Sequence, residues 1–397
     1  MEHFHEKFIR KINLTSTNFK RSIYHSIDWG NRLTGIKGAR GVGKTTLLLQ
    51  YIKENLPTDK STIYVSLDDI WFSSNKLVDF ADKFYKNGGK YLFIDEVHKY
   101  KNWSQELKNI YDDIPGIKIV FTGSSIIELL KSKADLSRRA VMYDMNGLSF
   151  REFINFSENV QFACYSLKDI ITNHLQISMD ICKTIRPLAL FNDYLNYGYY
   201  PYFIENELAY HSKLAETINL ILETDIPQCL ELETDTIEKL KKLMYVIATS
   251  VPFKPNISKI AEKIGITRNT TKLLLQYMKL AKIVNLLYAE IKKFNNLQKP
   301  EKIFLHHPNL MFCLSEENAN KGNIRETFFY NQLENVYQVS YTEKGDFLVD
   351  NKYTFEVGGN SKNRSQIYDL ENAFLAIDDI EYGNENRIPL WLFGFLY

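Results

Sequence analysis

Residues 38–45 read Gly-Ala-Arg-Gly-Val-Gly-Lys-Thr, and this octapeptide decides how the first part of the chain is interpreted. It matches the phosphate-loop pattern G-x-x-x-x-G-K-[ST], in which glycines let backbone N–H groups approach phosphate oxygens closely. Lys44 supplies a positive charge for the β- and γ-phosphates, and the Thr45 hydroxyl is a ligand for Mg²⁺. The predicted nucleotide-binding residues are Gly38, Ala39, Arg40, Gly41, Val42, Gly43, Lys44, Thr45 and Thr46.

The residues on either side of this loop fit a strand, a turn and a helix in succession. Residues 33–36 are a short apolar segment, and residues 46–52 form a helix-favouring run. A helix that begins at Lys44 would direct the positive end of its dipole at the phosphates. The alternative is a glycine-rich turn that matches the pattern by chance, and the two flanks together argue against it.

A strand that ends in two carboxylates predicts the second half of the site. In residues 90–98, four apolar side chains lead into Asp95 and Glu96. Ligands of parallel α/β sheets bind beyond the carboxyl ends of the strands, so both carboxylates should face the phosphates. We expect Asp95 to partner Mg²⁺, directly or through another ligand, and Glu96 to polarise the water that attacks ATP. Taken alone, the same residues also fit a strand that leads into an acidic turn.

Two more strand-like segments, residues 61–69 and 117–125, complete a predicted parallel sheet. An additional strand between the nucleotide motifs, with a glutamate beside the aspartate, resembles the catalytic-glutamate class of ATPases that contains the AAA superfamily. In that class a strand ending in a polar sensor lies between the strands of the two motifs. The resemblance implies that Thr122 or Ser124 touches the γ-phosphate or the attacking water. A turn of small residues is the alternative.

Adjacent arginines follow the last of these strands. Residues 135–140 read Asp-Leu-Ser-Arg-Arg-Ala, which places Arg138 and Arg139 after a predicted helix. Arginine stabilises transition-state charge on a phosphoryl group, so either residue is a catalytic candidate at the nucleotide. Arginine is also common at helix ends as a dipole partner or salt-bridge donor. The sequence leaves open whether either arginine acts on its own site or on that of a neighbouring molecule.

The order of these motifs resembles that of a known family. Ile-Asp-Glu-Val-His-Lys-Tyr at 94–100, Thr-Gly-Ser-Ser at 122–125 and Leu-Ser-Phe-Arg-Glu-Phe at 148–153 are similar to bacterial and archaeal AAA-type ATPases that carry a C-terminal domain of unassigned function. Residues 194–201 and 223–226 match the same family, so the resemblance covers nearly the whole chain. It implies a protein that uses ATP and Mg²⁺.

Composition indicates a soluble globular protein of two or three domains. The chain has 397 residues, of which 45% are apolar and 24% charged. The cysteines are scattered, the N-terminus lacks a signal-type apolar core, and no apolar run is long enough to span a bilayer, so we expect a cytoplasmic protein without a membrane partner. The net charge of +1 hides a basic stretch at 257–302, with ten Lys or Arg against three Glu, and an acidic stretch at 365–397. The basic stretch could bind nucleic acid, or the basic and acidic stretches could attract each other.

Residues 148–245 read as helices with few turn signals, and we expect a helical lid. Ser149 followed by Glu152 forms a capping-box pattern that starts one of these helices. The aromatic cluster at 194–202 could form a binding face, but aromatic residues at helical spacing favour a core position.

A helix-turn-helix pattern follows at 257–280, with Gly265 at the turn and Thr267 capping the second helix. Strand-like residues 283–289 and 302–305 would add the hairpin of a winged helix. The predicted buried face of the second helix consists of Leu273, Leu274 and Tyr277. Its exposed face would offer side chains suited to base edges and phosphates, namely Arg268, Asn269, Lys272 and Gln276. A lid or a protein-contact module is the alternative to DNA binding.

Three carboxylates in the last quarter resemble the metal-binding core of restriction-endonuclease-like folds. Glu326 lies on a predicted helix, and Asp346 and Glu356 lie on two predicted strands. In such folds the acids hold Mg²⁺, and a lysine two residues after the last glutamate assists the attack. Gly358 stands at that position, which favours a domain kept for structure or binding over an active nuclease. Two further candidates are Lys362, as a substitute for that lysine from the adjacent turn, and Gln366, on the next predicted helix.

Together these motifs predict an α/β protein. Its expected parts are a P-loop AAA-type ATPase domain (1–147), a helical lid (148–235), a winged helix (236–305) and a small α/β nuclease-like domain (306–397). The preferred hypothesis is a Mg²⁺-dependent ATPase whose nucleotide state controls the winged helix and an inactive nuclease-like domain. The alternatives are an ATP-gated DNA-binding regulatory or defence switch with little turnover, and an ATP-licensed DNA endonuclease. Expected partners are ATP and either duplex DNA or a protein, and the oligomeric state is left open.

Overall fold

The computed structural model describes residues 1–126, 136–227, 234–250, 254–289, 299–314, 320–363 and 365–397. The chain divides into two compact units. The first comprises Met1–Gly147 together with Asp225–Glu231, and the second comprises Leu148–Thr224 and Leu232–Tyr397. The finer domain boundaries that we derived from the sequence stay predictions.

A five-stranded parallel sheet forms the centre of the first unit. Its strands are β1 (Leu33–Gly38), β2 (Thr62–Ser66), β3 (Tyr91–Asp95), β4 (Lys118–Ser124) and β5 (Val141–Asp144). They lie in the order β2-β3-β4-β1-β5, and every neighbouring pair is parallel. The strand β4 therefore lies between β1 and β3, the strands of the two nucleotide motifs, which confirms the predicted topology. Since parallel strands end at the same edge, the two motifs meet there.

The helices of the first unit are α1 (Glu2–Leu14), α2 (Ile23–Ser26), α3 (Lys44–Asn55), α4 (Leu77–Lys86) and α5 (Trp103–Asp113). Short 3-10 helices occupy Ile70–Ser73, Val97–Lys99 and Leu136–Arg138. Helix and strand side chains share one apolar core, in which Leu92, Ile94 and Phe121 are almost fully buried. Strands covered on both faces read as continuous apolar runs, which explains the sequence before Asp95.

The second unit begins with helices α6 (Phe150–Ser157), α7 (Leu167–Cys182), α8 (Pro187–Tyr197) and α9 (Tyr210–Leu220). A 3-10 helix at Pro201–Ile204 precedes α9. A π-helical turn at Ile221–Asp225 follows α9, and its last residue, Asp225, already belongs to the first unit. The capping box at the start of α6 is formed, with both hydrogen bonds between Ser149 and Glu152 present. Tyr194, Tyr199 and Tyr200 are buried, which confirms that the aromatic cluster is core.

The helix-turn-helix region consists of α10 (Thr234–Ala248), α11 (Ile257–Ile264), α12 (Arg268–Leu280) and the antiparallel strands β6 (Val284–Leu287) and β7 (Lys302–Leu305). Gly265 ends α11 with φ of 75°, a left-handed conformation that favours glycine. The Thr267 side chain accepts a hydrogen bond from the Thr270 N–H and so caps α12. The expected turn and cap are therefore present.

The predicted buried face of α12 was wrong by about one position. Its buried side chains are Thr271, Leu274, Leu275 and Met278, whereas Leu273 is 40% exposed and Tyr277 is half-buried. Three consecutive leucines at 273–275 fit two different apolar stripes. The stripe that forms follows the i, i+3, i+4, i+7 spacing of a packed helix face.

The rest of the second unit carries a mixed five-stranded sheet in the order β12-β11-β10-β9-β8. Its elements are α13 (Pro308–Leu314), α14 (Lys321–Glu334), β8 (Val339–Ser340), β9 (Phe347–Val349), β10 (Tyr353–Gly358), β11 (Ala373–Ile377), β12 (Arg387–Pro389) and a 3-10 helix at Leu390–Phe395. The pairs β10–β11 and β11–β12 are parallel, and the pairs β8–β9 and β9–β10 are antiparallel.

The helix predicted to carry Gln366 does not form. Residues 365–369 are turns, and the Gln366 side chain is exposed. The Asn363 side chain accepts a hydrogen bond from the Ser365 N–H, which is a turn interaction that competes with helix formation.

The cap of α6 generates a stability prediction. Ser149 is fully buried, and its hydroxyl both caps α6 and donates to a main-chain oxygen of Tyr397 at 2.7 Å. Ser149→Ala should lower the free energy of unfolding by about 2 kcal/mol, because a cap and a buried hydrogen bond are lost together. The matched control is Ser166→Ala, which removes the exposed cap of α7 and should cost about half as much. Urea unfolding followed by circular dichroism measures both variants, and equal losses would contradict the expectation.

Candidate functional site

The phosphate loop runs from the end of β1 to the start of α3, which begins at Lys44. Gly41 and Gly43 have φ of 84° and 96°, in the left-handed region that other residues rarely adopt. At Gly38 a Cβ atom would overlap the backbone carbonyl oxygen of Met145. Side chains are therefore disfavoured at three loop positions. A loop without these side chains lets its backbone N–H groups approach a phosphate.

Lys44 is almost fully buried, with 5% of its surface exposed. Its Nζ donates to the carbonyl oxygens of Gly38 and Ala39, at 2.9 Å each. Burial lowers the pKa of Lys44, and the carboxylates of Glu96 and Asp95 act in the opposite direction. The loop ammonium and both predicted acids therefore belong to one electrostatic site.

The Asp95 carboxylate joins three elements of the first unit. Its Oδ2 accepts hydrogen bonds from the hydroxyls of Thr45 and Tyr64, at 2.6 Å each. Its Oδ1 accepts a hydrogen bond from the hydroxyl of Thr122. The predicted Mg²⁺ pair, Thr45 and Asp95, is thus in direct contact. A carboxylate and a hydroxyl are the hard oxygen donors that Mg²⁺ prefers, so these residues fit that ion.

Tyr64 is a site residue that the sequence analysis missed. It lies on β2 and is only 4% exposed, yet its hydroxyl reaches Asp95. Burial and the charge of Asp95 raise the pKa of Tyr64, so the hydroxyl keeps its proton and donates. Lys11 Nζ donates to the same hydroxyl oxygen at 3.3 Å. The sequence signal that could have identified Tyr64 is a tyrosine within a buried strand that neighbours the acidic strand.

Thr122 occupies the sensor position of β4 and is fully buried. Its hydroxyl donates to Asp95 and accepts from the Glu96 backbone N–H at 3.2 Å. Thr122 therefore holds the two acids in place, and its contact with a γ-phosphate or a water stays a prediction.

Glu96 follows β3 in a left-handed backbone conformation, with φ of 55°. Non-glycine residues with such values often lie at functional sites, because the local cost needs compensation by the surrounding structure. Burial raises the pKa of Glu96, while the charge of Lys44 opposes this shift. Because its pKa is raised, the Glu96 carboxylate accepts a proton more readily than an exposed glutamate does.

His98 lies beside Glu96 and was not singled out from the sequence. Its Nε2 is 3.3 Å from Glu96 Oε2, although the geometry is not that of a hydrogen bond. Its Nδ1 accepts from the Ser124 backbone N–H at 3.2 Å, which assigns the proton of the neutral ring to Nε2. Burial lowers the pKa of His98 to about 4, so the ring is neutral at pH 7. Ser124, the other sensor candidate, thus contributes its backbone to the orientation of His98.

A further carboxylate comes from a distant part of the sequence. Asp225 is 1% exposed and belongs to the first unit. Its Oδ1 accepts from Lys99 Nζ at 2.7 Å, and its Oδ2 lies 3.9 Å from Arg40 Nη1 of the phosphate loop. Residues 223–226 were recognised only as a family motif, and the sequence did not indicate that Asp225 meets the loop.

Arg21 contacts the phosphate loop through its buried guanidinium, and the sequence analysis did not predict it as a site residue. Its guanidinium donates to the carbonyl oxygens of Val42, Asn146 and Gly147, at 2.7 to 2.8 Å. The side chain is buried, and buried carbonyl groups require donors. Arg21 therefore ties the phosphate loop to the end of the first unit.

The two candidate arginines differ in their surroundings. Arg139 forms a two-point ion pair with Asp112 of α5, from Nε at 2.9 Å and from Nη2 at 3.0 Å. This contact is the salt-bridge alternative weighed from the sequence. Arg138 is exposed at the end of a 3-10 helix, and Asp135 lies outside the described residues. Action on a nucleotide stays a prediction for both arginines.

The candidates Glu326, Asp346, Glu356 and Lys362 form ion pairs in the second unit, in which Lys302 also takes part. Lys302 Nζ lies 2.9 Å from Glu326 Oε2 and 3.2 Å from Asp346 Oδ1. Lys362 Nζ lies 2.6 Å from Glu356 Oε1. A Cβ at Gly358 would overlap the Lys362 side chain, so the glycine makes room for Lys362. Among the described residues, no group of three or more His, Cys, Asp or Glu side chains is arranged to hold a metal ion.

The charges of this cluster shift one another's protonation. Burial raises the pKa of Glu326, and the neighbouring Asp346 adds to that shift. Burial alone would lower the pKa of Lys302, but the carboxylates of Glu326 and Asp346 outweigh it and raise the pKa. Lys302 was not predicted as a site residue, because nothing in its local sequence points to the two acids.

The predicted DNA-contacting face of α12 is only partly available. Arg268 and Asn269 are exposed at the start of the helix, and Lys272 is half-buried. Gln276 is also half-buried, and its Nε2 donates to the Tyr288 hydroxyl at 2.7 Å. Of the four predicted DNA-contacting residues, the two exposed ones, Arg268 and Asn269, therefore lie in the first turn of α12.

None of the helices in the described part of the chain combines the length and apolar character needed to cross a bilayer.

Comparisons with known proteins match two parts of the chain. Residues 30–154 match a family model described as an AAA domain, and residues 188–321 match a model described as a domain of unknown function, DUF8612. An uncharacterized protein of Methanocaldococcus jannaschii is 26% identical over 383 residues, which cover 88% of this chain and 80% of that protein.

Two solved structures also show similarity to the chain. The Aeropyrum pernix Orc1 protein in complex with DNA aligns with a TM-score of 0.32 and 11% identity, over 79% of this chain and 92% of that one. AMPPCP-bound DnaA from Aquifex aeolicus aligns with a TM-score of 0.27 and 15% identity, over 66% of this chain and 85% of that one.

The family match, the phosphate loop and the strand order agree with one another. The matched segment contains all five strands of the first unit and both nucleotide motifs. Residues 30–154 therefore form an AAA domain, a P-loop nucleotide-binding module, in a chain that also carries a domain of unknown function.

Proposed function

We propose that the first unit is a Mg²⁺-dependent ATPase. The observation that carries the proposal is the convergence of Lys44, Thr45, Asp95 and Glu96 in one site at the carboxyl edge of the sheet. A phosphate loop alone would support binding of a nucleotide. A second carboxylate beside the Mg²⁺ partner favours attack by water over transfer to another acceptor.

The residues of this site suit distinct steps of hydrolysis. Lys44 would exchange the carbonyl oxygens of Gly38 and Ala39 for phosphate oxygens and neutralise their charge. Thr45 and Asp95 would hold Mg²⁺, which supplies further positive charge to the phosphates when it is bound. Glu96 would orient the attacking water and accept its proton, a role that its raised pKa favours near neutral pH.

The nucleotide state would reach the second unit through Asp225. This buried carboxylate contacts Lys99, which follows the acidic strand, and approaches Arg40 of the phosphate loop. From Asp225 the chain continues toward α10, the first helix of the predicted winged-helix region. A phosphate that draws Arg40 away would therefore change the charge balance of a segment covalently joined to that region. This route supports nucleotide control of the C-terminal part of the protein.

Removal of the loop lysine should strongly weaken nucleotide binding. Lys44→Ala eliminates a charge-assisted contact to the phosphates, and we expect affinity for ATP to fall by at least about 30-fold, from a loss of about 2 kcal/mol. Isothermal titration calorimetry with Mg·ATP measures the change. Lys60→Ala, which removes an exposed lysine, is the control and should bind as the wild type does.

Replacement of the catalytic candidate should separate binding from hydrolysis. Glu96→Gln keeps the side-chain shape but cannot accept a proton, so phosphate release should fall by about 100-fold or more while ATP stays bound. Single-turnover measurements with radiolabelled ATP follow both quantities. The control Glu158→Gln changes an exposed glutamate and should leave both unchanged. Wild-type rates of phosphate release in purified Lys44→Ala and Glu96→Gln would refute the ATPase proposal.

DNA contact by the start of α12 is a second candidate function. Arg268 and Asn269 are exposed there, in a helix-turn-helix arrangement completed by the hairpin of β6 and β7. The first turn of such a second helix is the part that reaches base edges in known DNA-binding motifs. This candidate corresponds to the DNA-binding switch with little turnover.

Salt dependence distinguishes DNA contact from protein contact. Filter binding to duplex DNA should weaken steeply as salt rises, and Arg268→Ala should lower the slope of log affinity against log salt by about 1. The matched control is Lys168→Ala, an exposed charge on α7 of the same unit, which should leave the slope unchanged. Absent or salt-insensitive binding would leave a protein partner as the target of this region.

A further inference from the structure

The C-terminal acids are bridged by a lysine from a different element. Lys302 lies on β7, whereas Glu326 lies on α14 and Asp346 directly precedes β9. The single ammonium group contacts both carboxylates, at 2.9 and 3.2 Å. All three side chains are mostly buried, with 17%, 21% and 19% of the side-chain surface exposed for Lys302, Glu326 and Asp346.

The position of Lys302 is determined by packing as well as by charge. Its backbone is held by the β6–β7 pair, in which Lys302 is opposite Leu287. Its Nζ also lies 5.9 Å from the centre of the fully buried Phe347 ring. A cation over an aromatic face is stabilised there in addition to its ion pairs. Lys302 is thus an integral part of the cluster rather than a flexible surface side chain.

The third acid has a lysine of its own. Glu356 is fully buried on β10, and Lys362 pairs with its Oε1 at 2.6 Å. Asp346 Oδ2 accepts from the Val357 backbone N–H at 3.0 Å, which commits its second oxygen as well. Two lysines therefore face three carboxylates.

These residues do not fit the Mg²⁺ that a restriction-endonuclease-like site implies. A divalent cation needs several oxygens that converge on one point, and it is repelled by an ammonium group at that point. Lys302 lies between the two oxygens that the cation would have to share. The arrangement of the described residues agrees, since it contains no cluster suited to a metal.

We propose that the Lys302 ammonium takes the place of a divalent cation between Glu326 and Asp346, so that the C-terminal sheet keeps nuclease-like acids in a lysine-bridged, metal-independent form. The lysine keeps a positive charge between the acid of α14 and the acid that precedes β9, and so links the two elements by ion pairs. The replacement removes the divalent centre that phosphodiester cleavage requires. The proposal concerns the second unit only and does not depend on ATP hydrolysis in the first.

Binding of Mn²⁺ to the nucleotide-free full-length protein tests the proposal. Electron paramagnetic resonance measures free Mn²⁺ in titrations of the wild type, Lys302→Met and the double variant Lys302→Met/Asp346→Asn. We expect Lys302→Met to gain one saturable Mn²⁺ site that the wild type lacks and that the double variant loses again. The double variant also corrects for any ion bound at Thr45 and Asp95. Lys299→Met, which removes an exposed lysine three residues away, should bind as the wild type does.

Two results would overturn the proposal. One is a folded Lys302→Met variant, judged by circular dichroism, that gains no Mn²⁺ site. The other is a Mn²⁺ ion bound by the wild type and lost in Asp346→Asn, because Lys302 would then not exclude the cation. This second comparison needs no change at Lys302, so it decides the matter even if Lys302→Met fails to fold.

Discussion

The nucleotide site depends on one buried carboxylate and the hydroxyl groups that surround it. Asp95 is 2% exposed, and an ionised group in such a position is stable only when hydrogen bonds replace the water it has lost. Thr45 of α3, Tyr64 of β2 and Thr122 of β4 donate those hydrogen bonds. The same contacts tie the first helix after the phosphate loop to both strands that flank β3. The hydrogen bonds that replace the lost hydration of Asp95 therefore also align the phosphate loop with the sheet.

The two units compensate buried acids in different ways, and the difference has a functional consequence. Neutral hydroxyl donors leave the negative charge of Asp95 in place, so that a cation can still be attracted to it. In the second unit, Lys302 and Lys362 form direct ion pairs with Glu326, Asp346 and Glu356. An internal ammonium and an external Mg²⁺ compete for the same oxygens. One group of acids thus suits a cation-dependent reaction, and the other suits a stable scaffold.

The sequence was ambiguous where several local patterns were equally acceptable. Three leucines in a row allowed two buried faces of α12, and packing selected the one that includes Leu275. Gln276 has a side chain suited to DNA, but it is paired with Tyr288 across the fold. Arg139 suited a phosphate equally well, yet its guanidinium pairs with Asp112 of α5. In each case the competing partner lies at a position that spacing along the chain does not reveal.

The sequence by itself determined the features whose chemistry is contained in contiguous residues. These are the phosphate loop at 38–45, the acidic end of β3, the caps at Ser149 and Thr267, and the strand order that follows from the motif class. Only the tertiary structure decided that Asp225 meets the phosphate loop and that Lys302 bridges the C-terminal acids. The physical reason is that ion pairs depend on distances between atoms, and chain folding brings together residues that are far apart in sequence.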